Sequence, residues 1–338
     1  TLVGHLQITV FIAVALVVSA AVEAVSGRRT RRGWAWSLLA LVCAAAVAIG
    51  LSALVLLPTF EYVGLSPRAD LPYQDAARYS LEPGLLGEML VPALFSSREP
   101  SLYWGVWDRV AVGYLGIFPL ILAGLAVMMR RGRRVALFAS LAVSAFLLGL
   151  GGASIVHGWV YQLLPGFDQV RAPARAVFLV DFGLAALAAL ALDLFLGPLD
   201  IRARSAFRRV WRGLLWFGAG AVLIGVAWAY LVIYQAQGGD PILFWRVSAA
   251  GSGVIFALLM LVASLAWLGA RRTGRLRLKV LAWLAVGLIF LDLASVGAYT
   301  DLGTEPPTAG FEHPQVIEFL EDDPGFFRID SRTDVWDV

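Results

Sequence analysis

The sequence predicts an all-α polytopic membrane protein with about eight transmembrane helices and additional interfacial helices on the extracytoplasmic side. Three observations carry this prediction. The first is composition: 59% of the 338 residues are hydrophobic and 15% are charged, where a soluble domain carries roughly 25% charged residues. A mean hydropathy of +0.77 excludes both an ordinary soluble enzyme and a disordered chain. The second is pattern: the apolar stretches are continuous over about 20 residues, the length needed to cross a hydrocarbon core of ~30 Å as helix. The third is the alternation of short basic connections with longer mixed ones.

The predicted spans, in order, are residues 6–26, 34–57, 110–129, 135–150, 176–196, 213–234, 247–270 and 280–299, within a transmembrane domain of residues 1–300. Every second connection is rich in arginine. The first holds Arg28, Arg29, Arg31 and Arg32; the second Arg130, Arg131, Arg133 and Arg134. The third holds Arg202, Arg204, Arg208, Arg209 and Arg212, and the fourth Arg271, Arg272, Arg275, Arg277 and Lys279. Together they contain 18 of the 27 basic residues, with Asp200 the only acid among them. The positive-inside rule assigns all four to the cytoplasm and both termini to the opposite side. These arginines flank spans instead of forming one face, so no nucleic acid is expected as a partner.

The long outer connections have their own structure. Leu85, Leu86, Met89, Leu90 and Leu94, with Glu82 and Glu88 interspersed, predict an amphipathic interfacial helix within residues 81–95. Tyr103, Trp104 and Trp107 follow and suit the headgroup level. In the second long connection Gly151 and Gly152 break the preceding span, and residues 155–164 form an apolar patch that Pro165 and Gly166 end. That patch reads as an interfacial or re-entrant helix. Residues 301–338 read as the beginning of a small extracytoplasmic α/β domain. Pro314 opens a helix with Val316, Ile317, Phe319 and Leu320 on one face, and residues 326–329 open a strand.

Charges inside spans are costly, and each needs a reason. Glu23 lies near the first basic connection and is read as pairing with its arginines, and Asp193 is read as pairing with Arg202 and Arg204. Asp181 and Asp292 lie deeper, and either a structural hydrogen bond or an interior polar cavity accounts for them. The outer side gathers His5, Gln7, Glu61, Arg68, His157, Asp168, Arg171 and Arg175. Arg171 and Arg175 sit in Arg-Ala-Pro-Ala-Arg where the chain re-enters the membrane, and a guanidinium fork suits a phosphate better than an ammonium does. Pro173 keeps the chain extended before a helix whose N-terminus also favours an anion. The two arginines are therefore candidates for the phosphate of a membrane lipid, or general anchors to lipid headgroups. Cys43 is the single cysteine, which excludes a disulfide framework. No cofactor is demanded, although outer carboxylates are compatible with a divalent cation held alongside phosphate. No nucleotide-binding loop or hydrolase nucleophile motif occurs.

Four segments are distinctive: Gly4-His5-Leu6-Gln7, Leu57-Pro58-Thr59-Phe60-Glu61 with Ser66-Pro67-Arg68, Gly113-Tyr114-Leu115-Gly116 before Pro119-Leu120, and Leu164-Pro165-Gly166-Phe167 before Arg171-Ala172-Pro173-Ala174-Arg175. In these the chain resembles the YfhO family, large bacterial multi-pass membrane proteins similar to the GT-C class of glycosyltransferases. The likeness covers nearly the whole chain, with Leu6 standing where the family usually has proline. It implies a GT-C-like fold in a bacterial cytoplasmic membrane. It also implies transfer of a sugar from a polyprenyl-phosphate donor to a cell-envelope polymer or lipid on the extracytoplasmic face. Arg171 and Arg175 would hold the donor phosphate, and Glu61, Arg68 and His157 would line the acceptor side. In GT-C enzymes the base is typically an acidic residue of the first extracytoplasmic loop, which would lie upstream of Thr1, so the chain is expected to be an internal fragment lacking it. Two other readings remain open. One is an envelope-lipid transporter or flippase that uses Asp181 and Asp292 as coupling groups; the other is a non-catalytic assembly partner.

Overall fold

A computed structural model describes residues 6–25, 31–65, 71–92, 94–95, 104, 113–130, 132–164, 167–297 and 318. Among them every regular element is helical. The long helices are α1 (Leu6–Val25), α2 (Arg31–Gly64), α4 (Ile117–Met129), α5 (Arg133–Gly149), α7 (Val177–Leu196), α8 (Ile201–Ala236), α9 (Pro241–Thr273) and α10 (Leu278–Gly297). Two short helices, α3 (Tyr73–Ala76) and α6 (Ile155–Leu163), lie in the long connections. The segments Pro173–Leu196, Ala203–Ala236, Pro241–Thr273 and Leu278–Val296 are long and apolar enough to cross a membrane. Residues 295–338 form a separate unit, and the α/β domain expected at 301–338 lies outside the described residues.

Several boundaries differ from expectation for identifiable reasons. Pro58 does not end the second helix, which continues to Gly64. A proline removes one backbone donor, and helices in lipid tolerate this where neighbouring groups compensate. The basic stretch at 202–212 is not a loop. It forms the first turns of α8, whose N-terminus is capped by Asp200 accepting from Ala203 N at 2.6 Å. Residues 81–95 do not form an amphipathic α-helix. Pro83–Met89 is a 3-10 segment, and Glu88, expected on a polar face, is buried and accepts from Phe95 N at 3.1 Å.

The third span departs most. Helix α4 has 13 residues, a length of roughly 20 Å at 1.5 Å per residue, and residues 113–116 before it are extended. Gly116 has a φ of +97°, a conformation that suits glycine. Asp292 on α10 closes this break. Its carboxylate accepts from Tyr114 Oη at 2.6 Å and from Ile117 N at 2.8 Å, and the residue is completely buried.

Two cores organise the bundle. One joins α4 and α7 to the arginine-rich ends of α8, α9 and α10 through Phe118, Leu122, Leu187, Phe195, Trp211 and Trp267. Trp267 Nε1 donates to Leu281 O at 2.8 Å, so the buried indole is satisfied as burial requires. The other joins α1, α5 and α7 near the long connections through Phe11, Leu148, Phe167, Leu179 and Val180. Helices α5 and α7 meet where Gly183 leaves room for the Phe138 carbonyl and Ala142, the close approach that small residues permit between membrane helices.

Candidate phosphate-binding site at the start of α7

The Arg171–Arg175 segment is placed by the two long connections packing on each other. Leu81 N donates to Gly149 O at 2.9 Å, Gly152 N to Ser80 Oγ at 3.1 Å and Ala174 N to Tyr79 O at 3.1 Å. Ser80 Oγ in turn donates to Ala77 O at 2.5 Å. Gly151, at φ +49°, passes so close to Ser80 that a Cβ there would overlap the hydroxyl. Tyr79 and Ala172 both adopt positive φ, at 61° and 58°, and such strained non-glycine residues persist only where the surroundings determine them.

Aromatic side chains fill the layer between the connections. Tyr73 packs against His157 at 5.6 Å and edge-on against Tyr161 at 5.2 Å between ring centroids, and Phe167 meets His157 edge-on at 5.7 Å. Tyr161 Oη donates to Leu71 O at 2.7 Å. Helix α6 begins at Ser154, whose hydroxyl accepts from Val156 N, a conventional N-cap. His157 is 1% exposed, its Nδ1 has no hydrogen-bond partner, and burial pushes its pKa below the usual 6.5.

Above this layer stand the cations. The Arg171 guanidinium lies 5.3 Å from the Tyr79 ring centre and that of Arg78 lies 5.5 Å from it, both within cation–π range. Arg175 follows in the 3-10 turn Pro173–Ala176, which leads directly into α7. Arg171 and Arg175 are each half-buried. Two guanidinium groups thus lie within reach of one ring, Arg175 follows Arg171 by four residues in sequence, and planar forks of this kind match a phosphate.

The remaining predicted residues divide clearly. Asp168 is half-buried in the turn Phe167–Gln169, beside the cluster in sequence. Asp181 lies in the second turn of α7, and its Oδ1 is buried without a hydrogen-bond partner. A Cβ on Gly113 would stand 3.6 Å from that oxygen, while one on Gly116 would stand 2.9 Å from Asp292 Oδ2. The Gly113–Gly116 segment therefore brings the two intramembrane carboxylates to its opposite ends. Glu61 is exposed on α2, and among the described residues its side chain makes no hydrogen bond or ion pair. His5 and Arg68 lie outside the described residues, and Gln7 falls in α1 with its side chain outside them. Asp193 pairs with Arg130 at 3.2 Å, an arginine of a different basic connection from the expected Arg202 and Arg204. Among the described residues no group of three histidine, cysteine or carboxylate side chains could hold a metal ion.

Sequence reasoning missed Arg78, Tyr79 and Tyr73. They lie in a connection with no periodic pattern, and their only signal was the density of aromatic and basic residues at Tyr73-Gln74-Asp75-Ala76-Ala77-Arg78-Tyr79. No family model, curated protein or solved structure matches the chain, so the likeness to the YfhO family rests on the motifs themselves.

Proposed function

We propose that the chain is the membrane portion of a GT-C-type glycosyltransferase of eight spans in a bacterial cytoplasmic membrane, with its long connections and both termini of this chain outside. It takes a sugar from a polyprenyl-phosphate donor and delivers it to a cell-envelope acceptor. Arg171 and Arg175 hold the donor phosphate, joined by Arg78. No catalytic base is assigned to this chain. The observation that carries the reading is the locked Arg171–Arg175 segment, which two long connections and two left-handed residues hold at the entrance of an apolar helix. A rigid cationic cluster at that level stabilises a phosphate leaving group without reorganising, the condition under which electrostatic stabilisation is most effective.

The test is ligand-dependent stability. Purified protein in detergent should gain several degrees in unfolding midpoint with saturating polyprenyl phosphate, since a ligand that binds only the folded state stabilises it. Arg171→Lys with Arg175→Lys keeps the charge and loses the fork, and the shift should fall to a small fraction. An undiminished shift in that variant removes the assigned role.

The transport reading draws support from one feature, the extended segment 113–116 that runs into α4 beside Asp181. Non-helical backbone at the end of a membrane helix forms substrate sites in many transporters. The hydrogen bonds closed around Asp292 give that residue a structural task, which leaves Asp181 as the single coupling candidate. Proteoliposomes that move a labelled polyprenyl-linked sugar across the bilayer, and stop when Asp181→Asn is introduced, would favour transport over transfer.

A further inference from the structure

The arginine-rich end of the bundle contains a cavity of about 580 Å³ where the connection after α7 meets the start of α8 and the end of α9. Arg204 and Arg208 on α8 and Arg271 and Arg272 on α9 line it, together with apolar Leu199 and Phe207. Two of the four cations are fixed by the fold. Arg271 donates Nε to Phe195 O and Nη2 to Gly197 O, the latter at 2.8 Å, so it caps the C-terminal end of α7. Arg272 lies 5.7 Å from the Trp211 ring centre. Arg204 and Arg208, one turn apart on α8, have no carboxylate or hydrogen-bond partner among the described residues, and the charge of Arg204 acts against that of Arg271.

The acids close in sequence are committed elsewhere. Asp200 caps α8 and Asp193 pairs with Arg130. The N-terminus of α8 is thereby already capped by a carboxylate, so the cavity's preference for an anion comes from its side chains. Four like charges around a partly apolar cavity call for a compact polyanion. Guanidinium forks select phosphate, and basic pockets between membrane helices accept phospholipid headgroups.

We infer that this cavity is a second anion site, separate from the start of α7, that binds a phosphate group carried by an anionic membrane lipid or free in solution. Two sources share this chemistry, and the experiment separates them. The full chain in neutral detergent is titrated in parallel with cardiolipin, with phosphatidylcholine and with inorganic pyrophosphate, and the unfolding midpoint is followed. Cardiolipin raising the midpoint where phosphatidylcholine does not identifies a lipid headgroup; pyrophosphate alone raising it identifies a soluble ligand.

Arg204→Gln with Arg208→Gln breaks no side-chain hydrogen bond or ion pair among the described residues and relieves repulsion, so the unliganded variant should be at least as stable as the parent. Its apparent affinity for the active ligand should fall about tenfold or more, the scale of losing two charge-assisted contacts. Arg275→Gln with Arg277→Gln removes the same charge on the neighbouring turn outside the cavity and should keep the affinity. An equal loss in both variants reduces the effect to general surface charge and overturns the site. Retention of the shift in Arg204→Gln with Arg208→Gln, or no shift with any phosphate species, overturns it as well.

Discussion

At the start of α7 the chain is fastened by other chain: backbone hydrogen bonds from Leu81 and Ala174, the Ser80 hydroxyl, and a layer of Tyr73, His157, Tyr161 and Phe167. At its end the same helix is fastened by guanidinium groups, with Arg130 donating to Leu190 O and Arg271 to Phe195 O and Gly197 O. The second arrangement is what the helix dipole favours, cations against unsatisfied C-terminal carbonyls. At the first, Arg171 and Arg78 lie against the Tyr79 ring. Arginine thus has two occupations in one molecule, closing a helix at one end and packing on an aromatic ring at the other. The difference teaches that arginine count alone does not separate a structural end from a binding end; the partners of each guanidinium do.

The largest expected effect lies between the two ends. Asp292→Ala removes the acceptor of both Tyr114 Oη and Ile117 N, two half-buried donors at the start of α4. A loss of about 3 kcal/mol is expected, the scale of two hydrogen bonds lost with their donors partly desolvated. It is read as a lower unfolding midpoint in detergent, with Asp292→Asn in between. A midpoint unchanged by Asp292→Ala would mean that the start of α4 is held by something else.

Gly151→Ala comes next and acts only on the fastened start of α7. It places a Cβ against the Ser80 hydroxyl at a left-handed position, at a cost of about 2 kcal/mol. Hydrogen exchange at residues 71–90 should rise while exchange in α8 and α9 stays as it was. Uniform loosening would show that the two ends are not independent.

The smallest effect is a pH dependence confined to the same layer. The folded pKa of His157 lies below its unfolded value of 6.5 because burial among Tyr73 and Phe167 disfavours the charged ring. The unfolded chain therefore takes up protons first as pH falls. The contribution is complete above 6.5 and is lost progressively as pH falls towards and through the folded value. Protease nicking within residues 71–90 should increase below pH 6.5, and His157→Phe, which keeps the aromatic packing, should flatten that increase.

Long apolar runs were legible in the sequence to within a few residues, as Leu6–Val25, Arg133–Gly149 and Val177–Leu196 demonstrate, because burying or exposing a whole helix face to lipid leaves a signal over many positions. The helix Ile155–Leu163 was legible because Gly151 and Gly152 punctuate its start and Pro165 and Gly166 its end. The helical start of α8 was hidden by its arginines, since charge density says nothing about backbone conformation once Asp200 supplies a cap. The break at Gly113–Gly116 was hidden because its satisfaction comes from Asp292, about 175 residues away. The candidate site was half legible: Arg171 and Arg175 announced themselves by type and position. Arg78 and Tyr79 reach them only through the packing of one connection on another, a contact that no local pattern encodes.

Both proposed sites depend on which side of the membrane each end faces. Cys43 is the only cysteine and is exposed, so Cys43→Ser provides a background into which Glu82→Cys, in the long connection, and Arg275→Cys, on an arginine-rich turn, are introduced one at a time. Both positions are exposed. A membrane-impermeant maleimide applied to intact cells should label the first and spare the second until the membrane is opened. Labelling of Arg275→Cys in intact cells, with Glu82→Cys protected, would contradict the account at its root.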